Sequence, residues 1–188
     1  MNNHIDGFES EHKTVIGIDQ SMTSTGIFAS NNENGNCQWN IIRSEKSPEK
    51  MDSTQVQIDD VRRCQEITAS IIKFVHQIAD QHPLHEIYVC IEGLGFGAKG
   101  DATRKLAGLQ FMIISALRDC GFGDRISIVP PTTLKKFATG NGNAKKEAMF
   151  DALPSETKQV FEEKTLKSKG RFDVTDAYWL SKYAMTNL

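Results

Sequence analysis

VIGIDQSMTSTGIF, Val15 to Phe28, is the stretch on which the reading of the whole chain turns. A short β-branched run ends in Asp19, a turn of small residues follows, and a second strand-like run begins near Thr25. A carboxylate where a buried strand runs out is costly in a core, yet suited to holding a metal or a phosphate-bound ion at the rim of a sheet. A turn-forming Asp between two hairpin strands is the plain alternative. The surrounding chain has to decide between them.

Outward from this stretch, Thr25–Ser30 and Cys37–Ser44 read as two further strands joined by NNENGN, whose Asn-Gly is a hairpin signal. A polar linker runs to about Ser53. Val61, Cys64, Ile67, Ile71, Phe74 and Ile78 then recur at helical spacing, predicting one long amphipathic helix that stops before His82-Pro83. Ile87 to Ile91 is continuously apolar, as a strand buried on both faces would be, and Glu92 follows it. A strand after a crossover helix pairs parallel with the first, so Asp19 and Glu92 are expected on the same rim, where open α/β sheets bind ligands.

Gly93, Gly95, Gly97 and Gly100 make the next loop able to approach a ligand closely, with Phe96 among them. A helix is expected from Asp101 to about Arg118, a short strand in RISIVPP, a short helix over Thr133–Phe137, and a turn in ATGNGNAKKEAM that enters another helix. SETKQVFEEKTLKSKG is polar, and a last helix is expected from about Asp173 to Tyr183. The order βββαβαβα predicts one α/β domain over 14–188 behind a polar leader, 1–13.

The 188 residues suit one domain with a real core, and 39% hydrophobic with 24% charged residues is ordinary for a soluble globular protein. The leader lacks the apolar segment of a secretory signal, and no apolar run reaches membrane-spanning length. Cys37, Cys64, Cys90 and Cys120 form no paired motif, which suits a reducing, cytoplasmic or DNA-containing compartment. The net charge of −2 is unevenly spread: Gly95–Lys146 holds nine bases and three acids, net +6, leaving −8 elsewhere. A basic zone on an acidic chain predicts a local polyanion-binding face.

Asp173 and Asp176 stand three apart in the last helix and so share a face. Alone, they read as acids complementing a helix N-terminus. Together with Asp19 and Glu92 they make four carboxylates, which repel one another unless a cation neutralises them. Oxygen ligands without His or Cys select Mg2+, or Mn2+, over zinc, and two such ions are a known arrangement for in-line attack on phosphodiesters.

GIDQSMTSTGIF, IEGLGFGAKGDATRKLAGLQFMIISAL, TLKKFATGNGNAKKEAM and DVTDAYWLSKYA, taken in order, resemble the four motif blocks of the RuvC family of Holliday-junction resolvases, within the RNase H-like nucleases. The resemblance spans Thr14 to Tyr183. It implies a mixed five-stranded sheet, with an antiparallel three-strand portion and further parallel strands, flanked by helices on both faces. It implies a homodimer that cuts opposed strands of a four-way DNA junction. By position, Asp19, Glu92, Asp173 and Asp176 match the metal-binding catalytic acids, Lys146 a lysine near the scissile phosphate, and Lys135 an earlier DNA-binding base. Phe96 matches the aromatic that stacks on junction bases, and Lys99, Arg104, Lys105, Lys136 and Lys145 extend the DNA-binding set. The glycine content of GLGFGAKG, the leader and SETKQVFEEKTLKSKG depart from the family pattern, as a viral or organellar branch would.

Two other readings share some of these residues. A less selective nuclease acting on flaps and branches would use the same metal ligands, because selectivity lives in the dimer and the loops. GIDQSMTSTG also resembles the phosphate loop of actin-like and sugar-kinase ATPases, but nothing here resembles their second phosphate loop.

Overall fold

A computed structural model of the chain describes residues 12–45, 50–95, 99–165 and 170–188. Strand β1 (Thr14–Asp19) pairs antiparallel with β2 (Ser24–Asn31), which pairs antiparallel with β3 (Cys37–Arg43). On the other side of β1 lie β4 (Ile87–Glu92) and then β5 (Ile126–Val129), both parallel. The sheet order β3-β2-β1-β4-β5 is the expected mixed five-stranded sheet. The β2–β3 turn closes through Asn31, whose side-chain oxygen accepts from the Glu33 and Asn34 amides, while Gly35 takes the left-handed conformation at φ 67°.

Helices cover both faces, and the alternation of side chains along each strand decides what each face receives. Ile16, Ile18, Ile27, Val89 and Ile91 point to one side, where α1 (Ser53–Ala79) and α2 (Asp101–Asp119) bury Ile67, Ile71, Ile78, Leu109, Ile113 and Leu117. Val15, Cys90 and Phe28 point to the other, covered by α3 (Pro131–Thr139), α4 (Lys146–Asp151), α5 (Ser155–Lys164) and α6 (Gly170–Asn187). Helix α1 starts at a capping box: the Thr54 and Gln55 amides donate to Asp52, and the Asp52 amide donates back to the Gln55 side chain.

The structure corrects the sequence reading in four places. Val61 is 53% exposed and lies off the buried stripe of α1 to which its spacing assigned it. The polar stretch after Pro154 contains helix α5, which docks through Phe161, set edge-to-face against Phe28, Trp39 and Tyr178. Helix α3 begins at Pro131, two residues before the expected Thr133, with the proline at its first position, where a missing N–H costs nothing. Helix α6 begins at Gly170, three residues before the expected Asp173, which therefore sits inside its first turn.

Helix α6 lies almost on the backbone of β1 and β2. A Cβ at Gly17 would collide with the Ala177 carbonyl oxygen and come within 2.7 Å of the Ser181 amide. One at Gly26 would collide with the Asp173 carbonyl and come within 2.9 Å of the Val174 amide. The Ser181 hydroxyl completes the seat by donating to the Val15 carbonyl at 3.0 Å, and it lies 2.7 Å from the Ser30 hydroxyl. Gly17→Ala and Gly26→Ala are each expected to destabilise the protein by about 3 kcal/mol or more, because backbone cannot yield as a side chain does. Gly108→Ala, in the interior of α2 with nothing within 4 Å of the added carbon, is expected to stabilise by about 0.5–1 kcal/mol. Urea titrations of the three variants check both signs.

Candidate active site

Asp19 is the last residue of β1 and Glu92 the last of β4. The parallel register sets Ile18 opposite Ile91, so the two carboxylates leave the sheet side by side. Asp19 shares the face of Val15 and Gly17, and Glu92 that of Cys90, which is the face covered by α6. Gly26, the register partner of Asp19, is where the first turn of α6 makes its closest approach to β2. Asp173 and Asp176 are thereby carried to the rim that holds Asp19 and Glu92.

The Lys146 ammonium, at the start of α4, lies 3.7 Å from Asp173 Oδ1 and 3.4 Å from Asp176 Oδ2. The Ser24 hydroxyl donates to Asp173 Oδ2 at 2.6 Å and fixes that carboxylate from the β2 side. Sequence reasoning passed over Ser24, although it stands two residues before Gly26 and so shares its strand face. Sequence reasoning also passed over Arg63, a buried guanidinium on α1 that donates to the Met22 carbonyl and, at 3.0 Å, to Ser44 Oγ. It ties down the turn that follows Asp19. The signal for it was a basic residue beside Cys64, inside an otherwise apolar stripe.

Electrostatics reflect the crowding. Burial, then the charges of Glu92 and Asp176, push the Asp19 carboxyl well above the usual carboxylate range. Burial and the charge of Asp176 push Glu92 up to about 7, against the pull of a hydrogen bond with Asp19 and the charges of Lys146 and Lys135. Burial also raises Asp176, with Lys146 opposing it. Burial works to lower Lys146, but Asp19, Asp176 and Asp173 override it and hold the ammonium charged.

The donor set fits a hard divalent cation. All four candidate ligands are carboxylates, and Asp176 Oδ1 is buried without a hydrogen-bond partner among the described residues. No group of three or more His, Cys, Asp or Glu side chains among the described residues is arranged to hold an ion as the side chains stand. The cation that does reach two of these carboxylates is the Lys146 ammonium.

The other expected residues fall in different settings. Lys135 is on α3, close enough for its charge to act on Glu92 and Asp176. Lys136 is in the last turn of that helix, and Lys145 caps α4. Lys99 is exposed just before α2, and Arg104 pairs with Asp101 at 3.0 Å. Lys105 bridges Asp60 of α1 at 2.8 Å and Asp101 at 3.0 Å, tying the two helices together. Phe96 lies outside the described residues. No helix among the described residues is long and apolar enough to cross a membrane.

No protein-family model and no curated protein matches the sequence. Solved structures do match. RuvC from Thermus thermophilus superposes with a TM-score of 0.59 at 16% identity, over 93% of this chain and 96% of that one. T. thermophilus RuvC in complex with Holliday junction substrate gives 0.55 at 17% identity, over 94% and 97%. The yeast mitochondrial Holliday junction resolvase Ydc2 gives 0.51 at 10% identity, over 89% and 76%. The fold is therefore that of RuvC, an RNase H-like mixed sheet between two layers of helices.

The raised carboxyl groups set a pH dependence of stability. Glu92 titrates near 4.5 when unfolded and near 7 when folded, so the folded state holds its proton more tightly. That contribution is complete below pH 4.5 and is lost as the pH rises through 7. Asp19 and Asp176 act in the same direction. Melting curves of the metal-free protein are expected to show falling stability from pH 5 to 7.5, with Glu92→Gln flattening the slope and Mg2+ restoring stability at pH 7.5.

Proposed function

We propose that this chain is a metal-dependent endodeoxyribonuclease that resolves four-way DNA junctions. The observation that carries this reading is the meeting of Asp19, Glu92, Asp173 and Asp176 at one sheet rim, with Lys146 among them. The likeness of fold to T. thermophilus RuvC, solved also with a Holliday junction, and to the yeast mitochondrial resolvase, supports it. Residues 14–188 would act as one nuclease domain. Junction resolution needs cuts on two opposed strands, and two copies of the chain, as a homodimer, would supply them. The compartment would hold DNA and be reducing.

Asp19, Glu92, Asp173 and Asp176 would hold two Mg2+ ions, or Mn2+ in their place, which activate the attacking water and stabilise the leaving oxygen when bound. The chain's own residues do the rest. Asp19 and Glu92 are set by strand ends, and Asp173 by the Ser24 hydroxyl, so the carboxylates meet the substrate already oriented. Lys146 offsets part of the charge of Asp173 and Asp176 without metal, and with DNA present its ammonium can move to a phosphate oxygen beside them. Lys135, Lys136 and Lys145 would grip the backbone, Lys99 and Arg104 would extend the grip at the start of α2, and Phe96 would stack on junction bases.

A labelled four-way junction is expected to be cut symmetrically with Mg2+ and left intact with chelator, while matched duplex resists. Equal cutting of a flap substrate would move the assignment to a general branched-DNA nuclease, and ATP hydrolysis without cutting would favour the ATPase reading. Asp19→Asn is expected to abolish cutting and leave junction binding intact. Lys135→Met is expected to reduce the slope of log affinity against log salt by about one. Lys105→Met should barely change that slope, since its charge is already paired with Asp60 and Asp101.

A further inference from the structure

On the sheet face opposite the four carboxylates, two buried side-chain amides meet a single backbone oxygen. Gln20, 5% exposed, follows Asp19 where β1 gives way to its turn. By strand alternation its side chain leaves on the other face from Asp19. Its Nε2 donates to the Glu92 carbonyl at 3.1 Å. Gln110, 6% exposed in the middle of α2, donates its own Nε2 to that same carbonyl at 3.3 Å. The carbonyl marks the point where β4 ends and the glycine-rich loop begins. On its far side the ladder holds, the Gly93 amide donating to the Val129 carbonyl at 2.8 Å. On the β1 side the strand has already turned away, and side-chain amides take the place of ladder donors.

We infer that Gln20 and Gln110 are positioning residues that hold the Glu92 backbone, and with it the Glu92 carboxylate, in the geometry needed to bind the metal beside Asp19. The inference rests on the metal-dependent reading of the site. The two amides lie at the edge of an apolar layer that includes Ile18, Ile91, Leu109 and Ile113, where leucine or methionine would pack without polar atoms to satisfy. Gln20 Oε1 is in fact buried with no hydrogen-bond partner among the described residues. The amide cannot relieve this by flipping, because its oxygen would then face the oxygen of Glu92. Stability alone would not favour an orphaned acceptor at this position. Outer partners of metal ligands, by contrast, set ligand direction and metal affinity. The clamp also joins three separate pieces of the site: the residue after Asp19, the residue bearing Glu92, and the helix that follows the glycine-rich loop.

Gln110→Met keeps length and volume but removes the donor, and Gln20→Met does the same from the β1 side. Three measurements are made on each full-length variant: Mn2+ binding followed by electron paramagnetic resonance of the free ion, junction affinity in chelator, and thermal unfolding without metal. The expected result is Mn2+ affinity lowered about tenfold, unchanged junction affinity, and unfolding within a few degrees of the parent or above it. Unchanged Mn2+ affinity in both folded variants would overturn the inference, and so would a loss of Mn2+ affinity matched by loss of the folded state. Asp19→Asn serves as the separate control: if it binds Mn2+ as the parent does, the metal reading of the site fails, whatever the glutamine variants show.

Discussion

The close seat of α6 on the sheet is the constraint on which the rest of the structure depends. A helix normally rides on a sheet at a distance set by side chains on both sides, and charged groups at its start would then stand clear of the strand ends. Here Gly17 and Gly26 remove the side chains from β1 and β2 beneath the helix, and the Ala177 and Asp173 carbonyls occupy the space. The Ser181 hydroxyl, bonded to the Val15 carbonyl, anchors the far end of the same contact. Because Gly26 is the register partner of Asp19, one of the two points of close approach is also the point where the carboxylates gather. The packing that stabilises the helix and the geometry of the site have one cause.

Gathering four acids at a partly buried rim opposes folding, and the molecule answers with an internal cation. Lys146, at the start of α4, has Asp173 and Asp176 of α6 in reach. It keeps its charge although burial disfavours it, because the surrounding carboxylates disfavour losing it more. It does not balance the whole site: Asp176 Oδ1 has no hydrogen-bond partner among the described residues, and burial with the charge of Asp176 keeps Glu92 raised to about 7. The remaining imbalance is what a hard divalent ion would relieve. A single lysine thus offsets part of the repulsion among the gathered acids and leaves the rest unrelieved.

Much of this was legible in the sequence, where local pattern and global fold agree. A β-branched run ending in Asp19, an apolar run ending in Glu92 after a long helix, and an i, i+3 acid pair in a final helix are short-range signals, and strand parity converts them into a shared face. What was not legible depends on partners distant in the chain. Helix α5 is held by Phe161 against Phe28, Trp39 and Tyr178, and one aromatic in a polar stretch carries no periodicity to reveal it. Val61 fits the spacing of α1 but falls outside the strip that α2 and the sheet cover. Gln20 and Gln110 look like ordinary polar residues until both are found on the Glu92 carbonyl.

The basic zone shows the same limit in its charges. Counted along the chain, Gly95–Lys146 carries net +6, which suggests one continuous polyanion face. In space the charges divide. Lys105 is bound between Asp60 and Asp101, and Arg125 donates to the Ile87 and Gly121 carbonyls, so both are occupied in holding α2 and β5 to their neighbours. Lys135 and Lys146 instead turn their charge on the carboxylate rim. Coulomb attraction falls with distance and is weakened where a charge is already paired. The basic zone is therefore not one continuous face: Lys105 and Arg125 hold neighbouring elements together, while Lys135 and Lys146 act on the carboxylate rim.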